Sequence, residues 1–414
     1  MSVTGGSNVN PHLSASKARI KDVFTPARRF RVPKQVRAMG VMPYFRELTR
    51  NEGPTCVIEG RDCVMMGSNN YLGLTTDLRV REAAIKALRE EGPSLTGSRL
   101  LNGTTTGHIA LERKIAALHG REDALVFTTG YQANIGILTA LGAEGACVVV
   151  DWQSHASIQD GARTSKARVD RFQHNDAEDL GRVLAKAAER GEPALVMVDG
   201  LYSMEGDIAP LPWISEQCKR HGARLVVDDA HALGVLGPSG RGTEEHFGMH
   251  GAADLLCGTF SKSLASIGGW VAGEADVIDW MRFFGRPMVF SASLPPASVA
   301  AASAALDIML AEPWRVARVN ENAEYWRRSL GSLGFDTGAS ASPIVPIIIG
   351  DDLKAIMMGK QLLDAGVYVN PVVHPAVPRD MAMLRTSVMA SHQRSHLDQA
   401  LDVVEKVARK LRVI

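Results

Sequence analysis

From about residue 95 to 290 the chain alternates short apolar runs with longer amphipathic ones. The runs are Ala124–Thr129, Cys147–Trp152, Val169–Phe172, Ala194–Gly200, Arg224–Asp229, Leu255–Thr259 and Gly269–Ala272. Each is rich in Val, Leu or other small apolar residues and bounded by Gly or Asp. Between them lie helical stretches such as Asp176–Arg190 and Leu211–His221. A strand that is apolar along its whole length is buried on both faces. The alternation therefore predicts an α/β fold with a mostly parallel seven-stranded sheet covered by helices on both sides. Such sheets take ligands beyond the carboxyl ends of their strands, so the polar residues at those ends carry most of the weight.

After Pro295-Pro296 the texture changes. A helical segment covers roughly 297–332. Ile344–Ile349 and Leu384–Val388 are strand-like, and a closing helix carries Leu397, Leu401, Val404, Val407 and Leu411 on one face. This predicts a smaller α+β domain over 296–414 beside a large domain over 95–295. Residues 38–94 are expected to bridge to the small domain or to a partner subunit. Residues 1–37 form a basic arm with Lys17, Arg19, Lys21, Arg28, Arg29, Arg31, Lys34 and Arg37. It reads as a solvated or partner-wrapping arm, and the same charge suits a peripheral membrane contact or the phosphates of an acyl carrier.

Composition narrows the class. A length of 414 residues fits one large and one smaller domain, and 45% hydrophobic with 22% charged residues is ordinary for a soluble globular enzyme. A net charge of +1 gives no global field for nucleic acid. Cys56, Cys63, Cys147, Cys218 and Cys257 form no C-x-x-C pair, and no signal peptide is evident. They read as reduced thiols in a cytoplasmic protein. No apolar run reaches the ~18–20 residues that span a bilayer.

Five strand ends carry chemistry. Val226-Val227-Asp228-Asp229-Ala230-His231 ends an apolar strand in two carboxylates and an imidazole. A carboxylate leaving a buried strand needs a cationic partner, and a protonated pyridine nitrogen is one, although a helix-capping Asp is an equal alternative. Gly-Thr-Phe-Ser-Lys-Ser (258–263) follows the next strand, with Lys262 among small residues 34 positions after Asp228. A desolvated lysine suits a Schiff base, while Thr259 and Ser261 offer hydroxyls to a phosphate. Thr128-Thr129-Gly130-Tyr131-Gln132-Ala133-Asn134 turns a strand into a helix whose free N–H groups suit a phosphate, or is a plain capped turn. At Asp151–Ser157, His155 is a flat aromatic that can stack and transfer protons, or part of a helix start capped by Ser154. At Asp199–Asp207, Ser203 can bond a cofactor substituent, or the glycines are loop punctuation. His246 and His250 have zinc-binding spacing but no third ligand, which favours surface histidines. The five clusters agree in content: phosphate donors, a stacker, a carboxylate and an amine.

At these residues the chain resembles the α-oxoamine synthase family of fold-type-I pyridoxal 5'-phosphate (PLP) enzymes, most of all its bacterial serine palmitoyltransferase branch. The likeness runs from about Ala38 to the C-terminus. It rests on Ala38–Tyr44, Asn69–Leu74, Thr96–Thr104, Trp152–Gly161, Leu201–Pro210, Gly258–Gly269, Arg286-Pro287 and Phe290–Pro296. It implies that Lys262 binds the cofactor and that His155 stacks on its ring. Asp228 pairs with the pyridine nitrogen and His231 with the phenolic oxygen. Gly130, Tyr131 and Thr259 contact the phosphate, and Ser203 contacts the cofactor. It implies that Ser291 reaches the phosphate from the neighbouring subunit of a homodimer with shared sites, and that Asn69 and Arg385 lie near the substrate carboxylate.

The activity implied is a decarboxylative Claisen-type condensation of an amino acid, serine favoured, with a long-chain acyl-CoA. The products are an α-amino ketone of the 3-ketosphinganine kind, carbon dioxide and coenzyme A. Three departures stand out. Asp229 replaces the family's usual Glu. Val373-His374-Pro375-Ala376-Val377-Pro378 lacks the loop arginine that holds a serine carboxylate. Asn69 stands where some serine palmitoyltransferases carry Tyr. The last two leave room for a synthase using glycine or alanine with another acyl-CoA or an acyl-carrier-protein thioester. A non-catalytic partner subunit of a synthase is a further alternative, against which the joint presence of Lys262, His155 and Asp228 argues, and a binding or scaffolding protein using the basic N-terminal arm is another.

Overall fold

The computed structural model of the chain describes residues 22–414. Lys17, Arg19 and Lys21 of the basic arm lie outside the described residues. Three short strands come first, β1 (Leu48–Asn51), β2 (Thr55–Ile58) and β3 (Arg61–Met65), paired antiparallel. Seven more form the central sheet: β4 (Asp123–Phe127), β5 (Cys147–Asp151), β6 (Arg168–Phe172), β7 (Ala194–Asp199), β8 (Arg224–Asp228), β9 (Leu255–Thr259) and β10 (Gly269–Gly273). Their spatial order is β4-β10-β9-β8-β7-β5-β6. Neighbours are parallel except at β10, which runs antiparallel to both β4 and β9. This is the sheet the apolar runs predict, with each strand within two residues of its run.

The strands read as continuous apolar runs because both faces are covered. In β5, Val149 packs on one side with Val196, Val198, Leu225 and Val227, under Leu111, Leu180 and Ile214. Val148 and Val150 pack on the other with Met197, Val226 and Ile137. Burying each such side chain contributes roughly 1.5–3 kcal/mol relative to exposure. The edge strand β6 is the exception, with Arg168 exposed and the next three residues only partly buried.

Four further strands follow: β11 (Ile344–Ile348), β12 (Val367–Tyr368), β13 (Asn370–Val372) and β14 (Met383–Ser387). The order β11-β14-β13 makes one small antiparallel sheet. β12 instead pairs parallel with β3, joining the early strands to the C-terminal part. A second core gathers Met66, Tyr71, Trp326, Val345, Ile347 and Leu384 with Leu397, Leu401 and Val404 of the closing helix Arg394–Leu411. The expected single helical segment over 297–332 is two helices, Pro296–Ala311 and Trp314–Ser332. Pro313 between them cannot donate to the preceding turn, and it starts the second helix instead.

The carboxyl ends of β4, β5, β7, β8 and β9 share one edge of the sheet. β10 starts at that edge, where Gly269 pairs with Thr259 on one side and Phe127 on the other. A side chain at Gly269 would place its Cβ 2.5 Å from Thr129 O and 2.6 Å from Gly130 Cα. Both obstacles are backbone and cannot swing aside. Gly269→Ala is expected to destabilise the fold by about 1–3 kcal/mol, read as a lower urea midpoint; an unchanged midpoint would contradict this packing.

Candidate active site

The strand ends converge as the sequence suggests. β7 and β8 are in register at their last residues, so Asp199 stands beside Asp228. Both are buried. Asp228 Oδ1 accepts from Ala230 N at 2.9 Å, and Oδ2 accepts from Asn134 Nδ2 at 2.7 Å. Asp199 Oδ2 accepts the backbone N–H of His155 at 3.0 Å. Burial, reinforced by Asp228, pushes the Asp199 carboxyl well above its ordinary range.

Lys262 follows β9 on the loop that leads back to β10. Burial lowers its pKa to about 8, against the upward pull of Asp228 and Asp199; Arg385 adds to the lowering. An amine tuned this way exchanges protons near neutral pH, which suits both bonding to a carbonyl and proton transfer.

His155 caps the helix Ala156–Thr164 itself, where the sequence pointed to Ser154. Its Nδ1 accepts Ser157 N at 3.3 Å and lies 2.7 Å from Ser157 Oγ. The side chain as a whole is exposed at the cleft. Desolvation of the inward edge lowers the imidazole pKa, Asp228 opposes this and Lys262 assists it.

His231 is buried, with Nδ1 2.8 Å from Tyr71 OH. Burial, with Lys262 and Arg385 nearby, holds it well below the usual histidine range, so it is neutral. Arg385, on β14, is also buried. Its Nε donates to Ser203 O at 2.5 Å and its guanidinium to Asn69 Oδ1 at 3.0 Å. Asn69, Tyr71, Ser203, His231 and Arg385 thus form one group, although they come from distant parts of the chain. The described contact of Ser203 is through its carbonyl.

The phosphate corner forms at the helix Gly130–Leu141. Thr129 caps it through Gln132 N at 3.1 Å, leaving the first-turn N–H groups of Gly130 and Tyr131 at the open end. A Cβ at Gly130 would stand 2.9 Å from Thr259 Cβ, so only glycine lets this turn approach Thr259. Thr259 Oγ1 donates to Gly268 O at 2.7 Å and receives Ser261 N at 3.2 Å. The Tyr131 hydroxyl points away, to Asp160 Oδ2 at 2.5 Å, so its contribution to the corner is its backbone. Ser291 Oγ accepts from Gln132 Nε2 of the same chain at 3.2 Å, one turn into the helix.

This donor set fits PLP. A helix start narrowed by glycine offers N–H groups to a phosphate, Asp228 offers a buried carboxylate to a pyridinium, and Lys262 offers a tuned amine. Asn134, Ser157, Asp199 and Tyr71 complete the site without having been singled out in the sequence. Asn134 and Ser157 sit inside motifs already noted, but their roles arise only where two helices meet β8. Of the departures, Asp229 is fully buried and receives Thr243 Oγ1 at 2.5 Å and Thr243 N at 3.0 Å, one residue from the cofactor set. His246 and His250 share no helix, because Thr243–Phe247 ends before His250.

Behind the site His174 bridges two carboxylates, Asp151 Oδ1 at 3.0 Å and Asp207 Oδ2 at 2.9 Å. Asn175 adds a bond to each. This clamp holds the loop that carries Ser203. Burial works against the charge, but the two carboxylates prevail and raise the His174 pKa to about 10.

The profile of the aminotransferase class I and II family matches residues 61–404. A serine palmitoyltransferase of Sphingobacterium spiritivorum is 43% identical over 384 residues, 93% of this chain and 96% of its own. An 8-amino-7-oxononanoate synthase of Thermoanaerobacter pseudethanolicus is 41% identical over 381 residues, 92% of this chain and 96% of its own. Among solved structures, the serine palmitoyltransferase of Sphingomonas wittichii superposes with a TM-score of 0.91 at 37% identity, covering 96% of this chain and 100% of its own.

The clamp predicts a pH dependence. His174 titrates at about 10 in the folded chain against 6.5 ordinarily. Its contribution is complete below pH 6.5 and is lost as pH rises towards 10. His174→Gln is expected to lose about 3 kcal/mol at pH 6, with the gap to the parent shrinking by pH 10. Urea titrations at both pH values check this, and a pH-independent gap would refute the charged clamp.

Proposed function

The chain belongs to the aminotransferase class I and II family, in its α-oxoamine synthase branch with the fold-type-I architecture, and we propose that it is a PLP-dependent acyltransferase that condenses L-serine with a long-chain acyl-CoA. The products are a 3-ketosphinganine-like α-amino ketone, carbon dioxide and coenzyme A, which suits a role in sphingolipid biosynthesis. The observation that carries this reading is the convergence of Lys262, His155, Asp228 and the Gly130 helix start at one edge of the sheet. Similarity to serine palmitoyltransferases over nearly the whole chain supports it.

The cofactor supplies an electron sink for the charge left on Cα when a proton departs. The chain supplies the rest. Lys262 attaches the cofactor through Nζ and moves the proton at Cα, its lowered pKa making the neutral amine available. Asp228 keeps the pyridine nitrogen protonated, and neutral His231 serves the phenolic oxygen. His155 covers the ring face and handles protons above it. Arg385, held by Ser203 and Asn69, receives the substrate carboxylate. Gly130, Tyr131 and Thr259 hold the phosphate.

The homodimer belongs to the same proposal. Leu101, Phe283, Phe284 and Phe290 are exposed, and Ser293 N bonds Gly97 O at 2.9 Å, tying the loop after Ser291 to the loop 96–104. A second copy on this face would cover these side chains and bring its Ser291 near the phosphate corner. The arm from Arg28 to Arg37, with Phe24 exposed beside it, suits peripheral contact with an anionic membrane. Among the described residues no helix is long and apolar enough to cross one. All five cysteines are free and buried, which supports a cytoplasmic setting.

A second reading rests on residues 373–378. Val373-His374 stands where an arginine is expected, and 8-amino-7-oxononanoate synthases are nearly as similar as serine palmitoyltransferases. Alanine or glycine with another acyl thioester is that alternative.

Borohydride reduction of the PLP-loaded enzyme is expected to fix the cofactor on the peptide containing Lys262; a label elsewhere refutes the site. Lys262→Ala is expected to lower turnover by at least about 10²–10⁴-fold. Titration of cofactor absorbance with serine, alanine and glycine separates the two readings: saturation by serine at the lowest concentration supports the first, and by alanine or glycine the second.

A further inference from the structure

One hydrogen-bonded chain in the site has its proton positions decided by its own members. Asp228 Oδ2, as a carboxylate oxygen, can only accept, so the Asn134 atom facing it at 2.7 Å is Nδ2. The same Nδ2 donates its second hydrogen to Ser157 Oγ at 2.9 Å. Asn134 Oδ1 then faces the Cys257 thiol at 3.4 Å. Asn134 and Ser157 are fully buried, so neither amide nor hydroxyl has water as an alternative partner.

Ser157 Oγ, already accepting from Asn134, has its own hydrogen to place. His155 Nδ1 lies 2.7 Å away. The backbone N–H of Ser157 also points at Nδ1, at 3.3 Å. Two donors aimed at one ring nitrogen require it to be the unprotonated one. In the neutral imidazole the proton then resides on Nε2, which bonds to no other side chain among the described residues and lies on the ring edge away from the helix.

We propose that Ser157, itself oriented by Asn134, is a positioning residue that fixes His155 in the Nε2–H tautomer. His155 then presents an N–H, rather than a lone pair, to substrate above the ring. The inference rests on the placement of PLP between His155 and Asp228. It adds that the residue pairing with the pyridine nitrogen and the residue covering the ring are joined through one amide. Disturbing Ser157 therefore changes what the histidine can donate, without touching Lys262 or the phosphate corner. The charged and titratable groups around His155 are Asp228, Lys262 and Asp160, with Asp199 on its backbone N–H and His231 across the cleft. None of them bonds to Nδ1, which leaves Ser157 as the group that selects the tautomer.

The test is nitrogen NMR of the full chain labelled with ¹⁵N-histidine, with and without PLP, His155 being assigned by its loss in His155→Gln. The parent should show an unprotonated Nδ1 and a protonated Nε2. In Ser157→Ala the backbone N–H at 3.3 Å is the one donor left to Nδ1 among the described residues, and the Nδ1–H tautomer should rise to a measurable share. The His155 titration should move up by about one pH unit, a tenfold shift, because a donor opposing protonation at Nδ1 is gone. The acid limb of the kcat/KM profile should move with it, and Ser157→Thr, which keeps the hydroxyl, should restore both. A parent protein with the proton on Nδ1 overturns the proposal even if no variant folds, as does a Ser157→Ala titration that does not move. Failure of the underlying site reads differently: PLP binding, followed by absorbance, would then be indifferent to His155→Gln and Asp228→Asn whatever the tautomer.

Discussion

The site depends on crowding negative charge at one edge of a buried sheet. Asp151, Asp199 and Asp228 end three strands of the sheet, and Asp199 and Asp228 are register partners on adjacent parallel strands, about 4.8 Å apart. Like charges at that spacing, out of water, cannot be left alone. Each is met differently. Asp151 is bound by His174, which the two carboxylates keep protonated through neutral pH. Asp199 is held towards its neutral form and accepts the His155 backbone. Asp228 accepts from the amide of Asn134 and lies within electrostatic reach of Lys262. The surplus of carboxylate over nearby cation is the electrostatic setting in which a protonated pyridine ring is welcome.

The sheet was legible because its strands are buried on both faces and leave unbroken apolar runs in the sequence. The direction of β10 was not, since Gly269–Gly273 reads the same whichever way it runs. The early strands were also hidden. β1 is exposed throughout and shows no period, and β3 finds its partner β12 some 300 residues away. Short strands with distant partners carry their information in the partner.

The site divides along the same line. Lys262, Asp228, His231, His155 and Gly130 stand at strand ends, where topology alone makes polar residues suspect. Asn134, Ser157 and Tyr71 are polar residues inside helical or loop texture. Asn134 meets Asp228 across 94 positions of sequence. Its meaning lies in a three-way meeting that no local pattern encodes. His155 was legible as a flat ring at a strand end, but its capping of its own helix was not, since serine is the commoner cap and Ser154 stands beside it.

The pairing of β3 with β12 also bears on the order of assembly during synthesis. The large sheet closes with β10, so the lysine, the paired carboxylates and the phosphate corner can assemble once about two thirds of the chain has left the ribosome. Asn69 and Tyr71 emerge long before that, yet Arg385 is made almost last. The residues proposed to seat the cofactor are therefore translated well before the arginine proposed to receive the substrate carboxylate. The late-arriving C-terminal strands thus complete the substrate side of the site last.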